Sequence, residues 1–397
     1  MSLDFSQLIQ CLDCRSESDH FVLWYCLRDP HVGPGNGRRG VGNPHLVPCY
    51  LDNLERLYSA LTGPLVRWRK EPKDKIHVYL LDLDDLPERS PLADLNSSGK
   101  PYLVLPCRSV EPSLQMAYQR AAVEAIHEAT HAFSFSAREF RFVEDDQYVV
   151  SKRWYWFNEA TSVFMEGFLM PTNPESIRFA RDWSDAPQIP LDDDSATYAA
   201  GMFARYLARR FGPGFLAEMW HQSLPLETPF DILDTLVAIR EPKLKSPDPR
   251  ELCPIFRDYC VESYFISDHK SVGFAADVYA RFGNRALEES LTPPPGVTEP
   301  PARDLHHLAC HYWRVWLATG VQRIQIDLVT GSPAIVADAT IVRPDMQRQP
   351  AQPVSPTTLL EDLSPATMDH AIVVVSNIGL SGHPNPSRQY SLRFTVS

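Results

Sequence analysis

The sequence predicts an α+β fold, two lobes followed by an all-β sandwich, and three observations carry that prediction. Strand-like and helical stretches alternate from the N-terminus to the end of a strongly apolar helix. The pattern then turns helical from Trp154 to about Leu287. A proline-rich break at 291–303 is followed by short alternating or apolar runs separated by turn residues. The expected organisation is an N-terminal α/β lobe over 1–153, a helical lobe over 154–290, a connector over 291–303 and a β-sandwich over 304–397.

In order along the chain, His20 to Leu27 reads as a strand, Pro48 to Leu61 as a helix, and Ile76 to Leu83 and Tyr102 to Pro106 as strands. The glycine-rich stretch Gly33 to Gly40 is interrupted by Pro34 and lacks a following GK[ST], so it reads as a surface loop rather than a phosphate cradle. A helix is expected from about Pro112, a residue suited to a first turn. Ala121, Ala122, Val123, Ala125, Ile126, Ala129 and Phe133 surround it with apolar side chains, which predicts burial on all sides. Ser195 to Phe211 reads as another helix, stopped by Gly212. The five prolines of 291–303 predict a stiff extended connector. Beyond it, Gly320 to Thr330, Ala334 to Val342, Ala371 to Ser376 and Tyr390 to Val396 read as strands.

The apolar helix contains HEATH, from His127 to His131. Residues four apart share a helix face, so both imidazoles can address one ion, and Glu128 lies beside them as a base for a metal-activated water. Burial adds to the argument, because buried polar and charged groups need partners and a dication supplies one. A buried helix whose histidines only bond to carbonyls is the plainer alternative, and it leaves the downstream motif WYWFNEATS unexplained.

HEATH followed by NEATS, with Ser162 in the small position, resembles the gluzincin superfamily of thermolysin-like and aminopeptidase-like zinc peptidases. The resemblance implies one zinc per chain held by His127, His131 and Glu159, and Glu128 as general base. It also implies a thermolysin-like pair of lobes in which the N-terminal sheet lies over the HExxH helix. Tyr102 to Pro106 is then either the edge that pairs with an extended substrate or an ordinary internal strand. Position 160 is Ala where many aminopeptidases have Gly, and no Asp stands four residues after Glu159. The stretch YAAGMFARYLARRFG resembles the helix after the glutamate ligand, which implies Tyr198 as a donor to the oxyanion, with Tyr155 and Tyr206 as alternatives. A metzincin would carry Gly and His where Ser134 and Ala137 stand, and the surroundings of Cys107 in LPCRS do not match peptide deformylase.

The implied function is hydrolysis of peptide bonds in a protein or peptide substrate. Two other readings are a catalytically silent peptidase-like scaffold and a non-peptidase zinc hydrolase. The presence of Glu128 weighs against the scaffold, which would need ligands but no base. HYWRVWLATG and RQYSLRFTVS resemble the jelly-roll modules called pre-peptidase C-terminal domains, which implies that the sandwich binds substrate or a partner protein.

Composition bounds the rest. At 397 residues and 44% hydrophobic, the chain has enough apolar material for two or three cored domains. A formal charge of -12, with acidic runs at Glu144–Asp146 and Asp192–Asp194, argues against nucleic acid as a partner. No apolar run has the length of a membrane span, and MSLDFSQLIQ lacks the basic-then-apolar order of a signal peptide. The expectation is a cytoplasmic protein as written, or a secreted one if a leader has been removed. The eight cysteines have no repeating spacing and only Cys11 and Cys14 form a CxxC, which argues against a zinc ribbon and for reduced thiols. In DLHHLACH, His307 and His311 stand at helical spacing with His306 and Cys310 nearby, but with no carboxylate framework and an aromatic strand following, the plainer reading is preferred to a second metal site.

Overall fold

The computed structural model describes residues 12–26, 45–69, 71–81, 90–96, 98–107, 113–137, 152–171, 174–222, 228–244, 254–265, 288–318, 320–345, 347–364, 367–380 and 387–397. Gly33 to Gly40, Glu144 to Asp146 and the start of the expected helix at Pro112 lie outside them. The fold is mixed α/β, with eight α-helices and three five-stranded sheets among the described residues. Two compact units divide the chain: residues 1–176 with 207–227, and residues 177–206 with 228–397.

The first unit is built on a sheet of order β1-β2-β3-β5-β4. Its strands are β1 (Cys14–Glu17), β2 (Phe21–Tyr25), β3 (Ile76–Leu81), β4 (Leu92–Leu95) and β5 (Pro101–Pro106). β2, β3 and β5 are parallel, and the outer strands β1 and β4 pair antiparallel. Parallel neighbours require a crossover, and α1 (Leu46–Thr62) provides the one between β2 and β3. α1 is amphipathic, turning Leu46, Tyr50, Leu54, Leu57 and Leu61 into the core. Val78, Leu103, Val104 and Leu105, fully buried on β3 and β5, are the continuous apolar runs that central parallel strands require. α2 (Leu114–Ala137) packs against α1, β4 and β5, and α3 (Lys152–Leu169) packs against α2.

Of the two readings of Tyr102 to Pro106, the internal strand is the one the fold has. This segment is the internal strand β5, bonded to β3 on one side and β4 on the other, so it is not the edge of the sheet. The outer strand on that side is β4, whose short LADL carries no alternation that could have announced it.

The second unit contains most of α4 (Pro174–Asp185), the start of α5 (Gly201–Phe211), α7 (Pro229–Arg240), α8 (Ile255–Tyr264) and two facing sheets, whereas α6 (Gly214–Gln222) belongs to the first unit. One sheet has the order β13-β10-β15-β7, with β8 also on β15, and the other β12-β11-β14-β9-β6. These strands are β6 (Glu288–Leu291), β7 (Gly296–Thr298), β8 (Arg303–Leu305), β9 (Ala309–Trp316), β10 (Ile324–Thr330), β11 (Ile335–Val342), β12 (Gln352–Val354), β13 (Thr357–Leu360), β14 (His370–Asn377) and β15 (Arg388–Val396). Ile326, Leu392 and Phe394 from one sheet and Ala337, Val373 and Val375 from the other share a single core. β14 is buried along its whole length because the opposite face of its sheet is also covered. That cover includes α8: Arg257 pairs with Asp338 of β11, Tyr312 Oη donates to the Cys260 carbonyl at 3.0 Å, and Arg314 donates to Tyr264 Oη at 2.8 Å.

Within 291–303, the stretch read as a connector, Leu291 closes β6 beside β9 and Gly296–Thr298 pairs with the terminal strand β15. Ser195 to Phe211 is helical only from Gly201, the residues before it forming successive turns. In DLHHLACH the histidine spacing is not helical in the fold, in line with the plainer reading of that stretch. Leu308 takes a positive φ of 48° and His311 lies on β9, so His307 bonds to Asp192 at 2.8 Å while His311 bonds to Tyr390 Oη at 2.9 Å. They do not converge on an ion.

Candidate metal centre

The first unit brings HEATH and NEATS together by packing two buried helices side by side. From Ala129 to Phe133 on α2, and from Trp156 to Gly167 on α3, every side chain is buried. Hydroxyls inside such helices need acceptors, and Thr130, Ser134 and Thr161 find them in the carbonyls one turn back, at 2.7, 3.1 and 2.7 Å. Aromatic packing fixes both helices. Phe133 of α2 meets the rings of Trp68 and Tyr58 edge-on at centroid distances of 6.0 and 5.4 Å. Trp154 and Phe157 of α3 pack on Trp220 of α6 at 5.0 and 5.5 Å, and Trp220 Nε1 donates to Thr161 Oγ1 at 3.2 Å.

At the seam, His127, His131 and Glu159 bring one ligand atom each within 4.8 Å of one another, and all three are buried. His127 Nε2 lies 3.0 Å from Glu159 Oε2, and His131 Nε2 lies 3.4 Å from Glu159 Oε1. Both histidines therefore present the same ring nitrogen to the glutamate. Their other nitrogens are engaged by α3: His127 Nδ1 with Glu166 Oε1 at 2.6 Å, and His131 Nδ1 with Ser162 Oγ at 3.1 Å. These contacts show that the two helices run antiparallel, since higher numbers on α3 meet lower numbers on α2.

Charge makes the centre fit a cation. Glu128, Glu159 and Glu166 are 7, 5 and 2% exposed, so three carboxyl groups are buried around two imidazoles. Burying carboxylates is strongly unfavourable unless a positive partner is present. Two imidazole nitrogens and one carboxylate oxygen, gathered within 4.8 Å of one another, form a donor set suited to a divalent metal, and this group can hold such an ion. Burial raises the Glu128 carboxyl above its ordinary value, with the two histidines opposing the effect. Burial acts in the same direction on Glu159, but the charge of His131 and hydrogen bonds from both histidines hold it well below the usual carboxylate range. For His127, burial favours the neutral ring, and the hydrogen bonds to Glu159 and Glu166 outweigh it and raise the value well above the ordinary one.

The tyrosines singled out by sequence fall in different surroundings. Tyr198 lies in the second unit, 42% exposed, its ring stacked on Phe179 at 5.0 Å. Tyr206, also in that unit, is buried against Phe203 and Tyr259. Tyr155 stands on α3 one turn before Glu159 and is 41% exposed. Sequence reasoning missed Glu166. Its signal was the spacing 159, 162, 166, three and then four residues apart, which places ligand and histidine partners on one helix face.

No family model matches the chain, and no curated protein matches it in sequence. Among solved structures, it is similar to PliG of Aeromonas hydrophila, a periplasmic inhibitor of g-type lysozyme, at 8% identity over 28% of this chain and 96% of that one, with a TM-score of 0.22. It is similar to the Yersinia pseudotuberculosis-derived mitogen at 12% identity over 26% of this chain and 88% of that one, with a TM-score of 0.21. A third similarity is to PliG of Salmonella Typhimurium, at 8% identity over 28% of this chain and all of that one, with a TM-score of 0.19. None of these bears on the chemistry of the centre.

Proposed function

We propose that the chain is a zinc-dependent metallopeptidase of gluzincin type. The observation that carries this reading is the convergence of His127, His131 and Glu159 at a buried seam, with Glu128 next to the first ligand. Zinc bound there would supply Lewis-acid polarisation of the scissile carbonyl and a lowered pKa for the attacking water. Glu128 takes the proton from that water and returns it to the leaving amine. Its burial supports the assignment, because a carboxylate withdrawn from water is a stronger base than one in water. The thermolysin-like plan belongs to this reading, supported by a five-stranded sheet against which the HExxH helix packs. An extended peptide adding to that sheet would pair with β4, the outer strand nearest α2, rather than with β5.

The test combines metal analysis with cleavage of a broad peptide library. Wild type is expected to retain about one zinc per chain, and Glu159→Ala to lose it. Glu128→Gln keeps size and hydrogen bonding but cannot accept the proton, so it should retain zinc while hydrolysis falls roughly a hundred- to ten-thousand-fold. Equal cleavage by Glu128→Gln and wild type would overturn the mechanism. A wild type that binds zinc and cleaves nothing would favour the scaffold reading.

A further inference from the structure

We infer that Glu166 is a positioning residue for the metal centre, acting through His127. This rests on the metal-centre reading above and goes beyond its ligand set. An imidazole can offer a metal only the nitrogen that carries no proton, so whatever holds its other N–H decides which nitrogen faces the ion. His127 Nδ1 lies 2.6 Å from Glu166 Oε1, and His127 Nε2 faces Glu159 at 3.0 Å. With Nδ1–H donated to Glu166, the Nε2 lone pair is fixed towards the ligand cluster.

Two further observations support the assignment. Glu166 is 2% exposed among buried residues such as Val163 and Met165 of its own helix, a position where a carboxylate needs a specific polar partner. It also stands seven residues after Glu159, two turns along the same face, so one helix delivers both a ligand and the group that orients another ligand. His131 is held differently, by the neutral Ser162 hydroxyl at 3.1 Å. A carboxylate polarises an N–H more strongly than a hydroxyl does, which makes His127 the stronger donor of the pair.

The competing account is that Glu166 merely pins α3 to α2. Cobalt(II) titration separates the two, read by visible absorption and by competition with a chelator, alongside thermal melting of each protein. Glu166→Ala is expected to weaken cobalt(II) binding roughly ten- to a hundredfold and to change the visible bands. Glu166→Gln, close in size and still able to accept from Nδ1–H, is expected to fold as wild type does and to fall between the two. In a His127→Ala background, adding Glu166→Ala should weaken binding no further, because its action runs through the missing ring. Wild-type affinity and bands in Glu166→Ala, or an equal further loss in the His127→Ala background, would overturn the inference. A wild type that takes up neither cobalt(II) nor zinc would overturn the metal centre itself, which is a distinguishable failure.

Discussion

Tyr155 and Tyr198 are exposed to nearly the same degree, 41 and 42%, and their surroundings separate them. Tyr198 lies flat on Phe179, whereas Tyr155 is followed on α3 by twelve consecutive buried residues that include the candidate ligand Glu159. An oxyanion donor must reach the reacting carbonyl, and Tyr155 shares the helix face of Glu159 one turn away. Tyr155→Phe is therefore expected to lower kcat by roughly ten- to a hundredfold with KM little changed, and Tyr198→Phe to stay close to wild type. The reverse ranking in steady-state kinetics would restore Tyr198, which the sequence suggested through the helix that follows it. At this scale the sequence was most legible where chemistry is local. HEATH sets its two histidines on one face by spacing within a single turn, while Ser162 and Glu166 acquire partners only when α3 is laid antiparallel to α2. Nothing in a one-dimensional reading says which histidine each will meet.

Strands were legible where burial alternates and illegible where they are short. In RQYSLRFTV of β15, Tyr390, Leu392, Phe394 and Val396 turn inward and Gln389 and Arg393 outward, a pattern that needs only the strand period. β1 and β7 are four and three residues long, and neighbours rather than composition make them strands. β9 and β15, on opposite sheets, are joined by a chain of hydrogen bonds in which Trp313 Nε1 donates to Tyr390 Oη at 3.0 Å and Tyr390 Oη bonds to His311 Nδ1 at 2.9 Å. Burial lowers the His311 pKa below its ordinary value, with Arg303 and His306 adding to the effect and Glu289 opposing it. The unfolded chain then binds a proton more readily than the folded one, so this contribution is complete above the unfolded value of about 6.5 and is lost as pH falls below it. Melting temperature should accordingly drop between pH 7.5 and 5.5, and His311→Gln should show a smaller drop. An equal drop in the variant would assign the effect to other groups.

Over the whole molecule, the division into units departs from what composition suggested, and proline is the reason. Five prolines in 291–303 have the composition of a connector, yet GVT and RDL within and at the end of that stretch are bonded to β15. The second unit also includes α8, which lies on the outer face of its second sheet through Arg257, Cys260 and Tyr264. A chain trimmed to 304–397 would lose β6, β7 and α8, exposing the outer faces of Tyr312 and Val374 and leaving Asp338 without Arg257. It is expected to unfold non-cooperatively or at a much lower temperature than a chain that keeps 177–397, measured by thermal and urea unfolding. A cooperative transition of unchanged midpoint in the trimmed chain would show that the sandwich needs none of them.

The stripe formed by Glu159, Ser162 and Glu166 carries a consequence for how the centre tolerates change. Exchanging Ser162 or Glu166 alone alters the partner of a single histidine. Length is another matter, because each residue added to a helix turns everything beyond it by about 100°. One residue inserted between Glu159 and Ser162 would swing both histidine partners off the seam together while leaving the ligand in place. Lineages carrying this centre should therefore avoid insertions and deletions within 159–166, so that a fixed interval is as much its heritable signature as the letters at its two ends.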